Sequence, residues 1–233
     1  MSRRQLIVKL DHVAALRELG STREPDPVAA ALLARLAGAH GIAIGLREDR
    51  RTVTERDLRL LRETVSHGLC VEISLLPAAV KAVLELRPDS VTLAGEGPGS
   101  RGLDVLTQIA GLGEVIRSLA ETRIRSVVCV DPDTDHVKGA HRLGARGVQL
   151  STARYSERNA NPSDELQRIS DAARLAGKLG LEVVVGGGLD YGNVQALADV
   201  PDVRELVVGH AIGARALLVG MDAAVREMRA LVG

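Results

Sequence analysis

The sequence predicts a single (β/α)8 (TIM) barrel domain spanning residues 1–233. Eight short β-type runs recur along it, at 6–10, 41–46, 69–75, 90–94, 125–130, 147–151, 181–186 and 205–209. Segments with helical periodicity fill the intervals, and strands alternating with helices imply parallel βαβ units. A length of 233 residues is ordinary for one such barrel, and eight units favour closure over an open doubly wound sheet.

The clearest helical stretches are 27–39, 54–66, 77–86 and 103–122. Extra helix is expected inside the long 103–122 stretch and at the C-terminus, where 221–231 follows 211–219. No low-complexity run or charge block divides the chain.

Composition narrows the function classes. Hydrophobic residues make up 45% of the chain, enough for one large core, and that core is aliphatic because Phe and Trp are absent. The only aromatic platforms are Tyr155 and Tyr191, which argues against stacking recognition of single-stranded nucleic acid. Thirty basic and thirty acidic side chains cancel, so no overall field attracts DNA or acidic membranes. Cys70 and Cys129 sit inside apolar runs and read as buried thiols rather than a disulfide. No apolar stretch is long enough to span a bilayer, and the first residues lack a signal-peptide pattern. A cytoplasmic protein with no nucleic-acid or membrane partner is expected.

In such barrels the chemistry gathers where strands end and βα loops begin. Those ends carry Lys9-Leu10-Asp11-His12, Gly45 through Arg51, Glu72, the glycine-rich 95–102 segment, Asp131-Pro132-Asp133, Gly186-Gly187-Gly188 and Gly209-His210. The last two form the main constellation. Glycine turns let backbone N–H groups approach an anion, and a helix opening after Gly209 would add its positive end. Phosphate is the expected occupant; tight βα turns alone are the simpler alternative.

Arg47 shares a strand face with Gly45 and would point into the barrel mouth if Leu46 packs outward. Arg50 and Arg51 read as solvated. Glu72 interrupts an apolar strand, which is costly unless it is paired or used for acid/base work. Lys9 interrupts another, on the same face as Asp11. An ion pair with Glu72 or Asp11 explains it most simply; a Schiff-base nucleophile is the sharper alternative. His136 and His141 lack a third ligand at useful spacing, so no metal site is expected.

These strand ends resemble the pyridoxine 5'-phosphate synthase family, colinearly over almost the whole chain. The resemblance rests on Asp11-His12 through Arg17, Pro25-Asp26-Pro27, Leu46-Arg47-Glu48-Asp49-Arg50-Arg51, the Glu72 strand, Gly102-Leu103-Asp104-Val105, the Tyr155 loop, Gly188-Leu189 with Tyr191, and Val208 through Ile212. It implies a cytoplasmic homo-oligomer that needs no metal or organic cofactor. The implied reaction condenses 1-deoxy-D-xylulose 5-phosphate with 3-amino-2-oxopropyl phosphate, releasing phosphate and water as the pyridine ring closes. It also implies roles for residues. Asp11, His12 and Arg47 would contact the pentulose phosphate, and Arg17 of the same motif would also bind substrate. Glu72 would be an acid/base, and Gly188, Gly209 and His210 would hold the amino-ketone phosphate.

The chain departs from the family pattern at specific positions. Gly45 and Gly187 stand where the family has proton-transferring histidines. Lys9 replaces a substrate-binding Asn, Gly20 an Arg, and Thr52 a His, and a loop Thr is replaced near Gly99. Loss of a proton-transfer group typically costs on the order of 10²–10⁴ in rate. Three readings stay open: a synthase of this family, a paralogue acting on another phosphorylated carbonyl compound through Lys9 or Glu72, and a non-catalytic binding or regulatory subunit.

Overall fold

The computed structural model describes residues 4–20, 22–46, 52–95, 102–107 and 109–233, with only the backbone described at 109 and 110. Eight parallel strands close on themselves in sequence order. They are β1 Gln5–Lys9, β2 Gly41–Leu46, β3 Leu69–Ile73, β4 Ser90–Leu93, β5 Arg125–Val130, β6 Gly147–Ser151, β7 Glu182–Gly186 and β8 Val203–Val208. The expected closed barrel is therefore the observed one. The largest shifts are at β8, which starts two residues before the expected run, and at β3, which ends two residues before it.

Helices follow the strands around the outside: α1 Asp11–Gly20, α2 Pro27–Leu36, α3 Glu55–Thr64, α4 Pro77–Leu86, α5 Ile109–Glu121, α6 Thr134–Arg142, α7 Pro162–Lys178, α8 Val194–Ala198, α9 His210–Val219 and α10 Met221–Val232. Local chemistry explains several starts. Asp26 and Asn161 accept N–H groups of the first turns of α2 and α7, and Pro27 and Pro162 occupy positions where no donor is needed. Thr54 and Asp57 form a reciprocal capping box on α3.

The extra helices differ from expectation in one place. Among the described residues, 103–122 holds the single helix α5. Residues ahead of it are tied down instead, by Leu103 N–H to Cys129 O at 2.7 Å and Leu106 N–H to the Asp104 carboxylate at 3.1 Å. The additional helix of the first unit is α1, which opens directly on Asp11. The C-terminal α10 appears where expected.

The apolar core is the shell between barrel and helices. Leu6, Val8, Ile42, Ile44, Leu69, Val71, Val128, Val130, Val148 and Leu150 alternate outward along their strands and are buried there. The barrel interior is unusually polar. Pleat alternation points Lys9, Glu72, Thr92, Arg125, Gln149 and Glu205 inward. At the N-terminal end Arg125 donates to Glu182 at 2.6 Å and to Glu205 at 2.8 Å. Burial alone would lower the Arg125 pKa, but its bonds to Glu205 and Glu182 outweigh it and raise it. Cys70 and Cys129 are not joined in a disulfide. No helix of the described residues is long and apolar enough to cross a membrane.

Candidate phosphate and carbonyl site

The C-terminal ends of the strands surround a cavity of about 420 Å³ whose walls include Lys9, Asp11, His12, Gln149, Gly188 and His210. Two glycine segments form one side. After β7, Gly187 and Gly188 have φ of 115° and 75°, a region that side chains avoid. Gly187 O accepts hydrogen bonds from Thr152 Oγ1 at 2.6 Å and Ser156 Oγ at 3.2 Å. Gly188 O accepts from Asn193 Nδ2 at 3.2 Å. In a trans peptide the N–H lies opposite the carbonyl, so anchoring Gly187 O turns the Gly188 N–H away from Thr152 and Ser156.

The second glycine segment is the start of α9. Gly209 precedes the helix, and no side chain caps its first turn. Its leading N–H groups therefore remain for an anion, with the positive end of the helix behind them. Gly209 is closely surrounded: a Cβ there would stand 3.2 Å from Lys9 Cβ and 3.2 Å from Lys9 O. His12 and His210 pack edge to face with centroids 5.0 Å apart, and both line the cavity.

Next to Gly209, on the adjoining strand β1, an ionic cluster begins. Lys9 Nζ lies 2.8 Å from Glu72 Oε1 and 3.4 Å from Asp11 Oδ2. Burial pulls the Lys9 pKa down, but the charges of Glu72 and Asp11 outweigh it, and the net direction is up. The Gly45 N–H donates to Asp11 Oδ1 at 2.7 Å. Strand register explains this meeting: Gly45 pairs with Glu72 and Ala43 with Lys9, so their side-chain positions converge inside the barrel. Leu46 packs outward in the shell, as the pleat argument required.

Most of the expected residues thus meet around one cavity. Lys9, Asp11, His12, Gly188, Gly209 and His210 line it, whereas Glu72 stands beside Lys9 without forming the wall. Arg17 does not join them. Its guanidinium pairs with Asp57 at 2.9 and 2.6 Å and donates to Thr52 O at 2.9 Å, clamping α1 to the segment leading into α3. Arg47 lies outside the described residues. Among the described residues no group of three His, Cys, Asp or Glu side chains could hold a metal ion.

Sequence reading missed Gln149. It is 2% exposed, lines the cavity and lies 3.7 Å from Cys129 Sγ through Nε2. The signal was available, since Gln149 interrupts an apolar strand just as Glu72 does. It also missed Thr152, Ser156 and Asn193, which hold the glycine turn; polar loop residues give no sign of their distant acceptors.

Comparison with known proteins identifies the family. A family model described as "Pyridoxal phosphate biosynthesis protein PdxJ" matches residues 6–233. A protein named pyridoxine 5'-phosphate synthase from Syntrophobacter fumaroxidans is 42% identical over 234 aligned positions, covering 98% of each chain. One with the same name from a Synechococcus species is 45% identical, covering 97% of each. Among solved structures, a Mycobacterium tuberculosis tryptophan synthase chain superposes with a TM-score of 0.67 at 15% identity, covering 99% of this chain and 93% of that one. A 4-hydroxy-2-oxoglutarate aldolase superposes with the same score at 17% identity, covering 99% and 96%. At these identities the structural matches speak to the barrel fold alone.

Proposed function

Because this chain belongs to the family described as pyridoxal phosphate biosynthesis protein PdxJ, we propose that it is an enzyme of vitamin B6 biosynthesis type that binds phosphorylated carbonyl compounds. The reaction proposed is the one the resemblance implies: 1-deoxy-D-xylulose 5-phosphate and 3-amino-2-oxopropyl phosphate condense to pyridoxine 5'-phosphate. The observation that carries this reading is the convergence of the Gly187–Gly188 turn and the uncapped α9 terminus on one cavity that Lys9 also lines. Gly188, Gly209 and His210 take a phosphate group, while Asp11, His12 and Arg47 serve the ketose. No metal or organic cofactor is invoked. The test is direct: purified protein is given both substrates and the product is followed by mass spectrometry. Formation of pyridoxine 5'-phosphate supports the proposal, and absence of any product contradicts it.

A second reading has its own observation. Gly45 and Gly187 supply no proton to the cavity, so a paralogue with another phosphorylated carbonyl substrate, or a non-catalytic partner of a complete synthase, fits the same site. Binding of the ketose phosphate without turnover supports this reading.

The proposal includes a homo-oligomer in the cytoplasm. Leu19, Leu36, Leu217 and Leu218, on α1, α2 and α9, are 72–85% exposed. Such a concentration of large aliphatic side chains favours cover by another chain.

A further inference from the structure

Interiors of eight-stranded barrels are packed mainly with branched apolar side chains, so a lysine there calls for a reason. Lys9 has an ionic support. Its side chain is 12% exposed, with Glu72 and Asp11 as anionic neighbours at 14% and 16%. Asp11 faces Lys9 from space that a side chain at position 45 would share. A Cβ there would stand 2.9 Å from Asp11 Oδ2, and the Gly45 N–H holds the other oxygen. Gly45 thus opens the space from which Asp11 faces Lys9.

The two carboxylates favour the charged form of the lysine. Imine formation needs a neutral amine, so this setting opposes a nucleophilic role. A fixed ammonium is suited instead to negative charge developing on an oxygen. Its neighbour is the phosphate turn, since the space beside Gly209 is filled by Lys9 Cβ. A ligand with phosphate at that turn would place its next few atoms against Lys9.

We propose that Lys9 is a cationic clamp: it donates a hydrogen bond to the carbonyl oxygen of a phosphorylated ketone and holds the negative charge that gathers there. Lys9 keeps its three N–H bonds, and no bond forms between nitrogen and substrate. Glu72 and Asp11 are positioning residues that fix the ammonium, and Gly45 is the residue that admits Asp11. The inference deepens the proposed function and rests on its reading of the cavity as a site for phosphorylated carbonyl compounds.

The test needs neither turnover nor the true substrate. Calorimetry compares 2-phosphoglycolate, whose carboxylate imitates an oxyanion beside a phosphate ester, with ethyl phosphate, which lacks it. Wild-type protein is expected to prefer phosphoglycolate by about tenfold to a hundredfold, the value of one hydrogen bond to a charged group. Lys9→Met is expected to abolish the preference, read as the ratio of the two affinities within each protein, and Lys9→Arg to keep part of it. Should Lys9→Met fail to fold because it strands two carboxylates, the double variant Lys9→Met/Glu72→Gln carries the same expectation with one charge fewer. A preference that survives in either folded variant overturns the clamp. So does borohydride trapping of 1-deoxy-D-xylulose 5-phosphate on Lys9. Equal wild-type binding of both esters overturns the clamp and leaves the phosphate site standing. Binding of neither ester removes the phosphate site and the clamp together.

Discussion

Gly45 and Asp11 occupy one another's space: the Gly45 N–H holds Asp11 Oδ1 at 2.7 Å, and a side-chain carbon at position 45 would meet Asp11 Oδ2 at 2.9 Å. Gly45→Ala is therefore expected to displace the Asp11 carboxylate and leave Lys9 with Glu72 alone. Since Asp11 is one of two charges raising the Lys9 pKa, that pKa should fall. Amine-reactive labelling of Lys9 at mildly alkaline pH, read by peptide mass spectrometry, should be faster in the variant. Unchanged labelling in a folded variant would show that Asp11 does not support Lys9.

The same cluster sets an alkaline stability limit. The folded-state Lys9 pKa is raised, so its contribution is complete below the unfolded value of about 10.4 and is lost as pH rises through the higher folded value. Wild-type protein should lose denaturant resistance above pH about 10.4 more steeply than Lys9→Met, which lacks the group. Parallel profiles would count against the ion pair.

Arg17 and Asp57 make the opposite limit. Burial would raise the Asp57 pKa, but Arg17 and the α3 cap outweigh it and the net direction is down. A depressed carboxylate contributes stability above the unfolded value of about 3.9, and that contribution is lost as pH falls to the folded value. Acid unfolding of Asp57→Asn should therefore lack this component. Arg17→Met leaves Asp57 buried without its main partner and is expected to cost about 3–5 kcal/mol in chemical denaturation. Binding of ethyl phosphate to the folded fraction should be unaffected, because Arg17 does not line the cavity.

Gly188 tests the phosphate turn. Its φ is 75°, and a Cβ there would stand 2.5 Å from Ser156 Cβ. Gly188→Ala should destabilise by about 1–3 kcal/mol and weaken phosphate binding. Adding Ser156→Gly removes the contact but not the backbone cost, so only part of the melting temperature should return. Full recovery would place the whole cost in the contact.

Leu217 and Leu218 test self-association. Leu217→Glu/Leu218→Glu should lower the sedimentation coefficient toward that of a single chain while circular dichroism stays the same. A wild-type protein that already sediments as one chain would contradict the proposed oligomer.

Much of this protein was legible in its residues. The barrel follows from eight apolar runs separated by helical periodicity, because the period of apolar residues is itself the instruction for strand or helix. The positions of Lys9 and Glu72 were visible because charge inside an apolar strand is costly, and that cost also pointed to their pairing. Glycines after β7 and β8 marked the turns proposed to take phosphate.

Other features were decided only by the closed structure. Arg17 sits in a motif that the family resemblance places near substrate, yet it turns to Asp57, forty positions away in sequence. Asp11 and His12 read as a strand end, whereas they open α1, which packs against α2 and α9. Gln149 became part of the cavity, and Asp11 became a neighbour of Gly45, only through inter-strand register. Sequence determines which residues need a partner, because that need follows from side-chain chemistry and local period. Which partner each obtains depends on barrel closure, which brings distant strand ends within hydrogen-bonding distance.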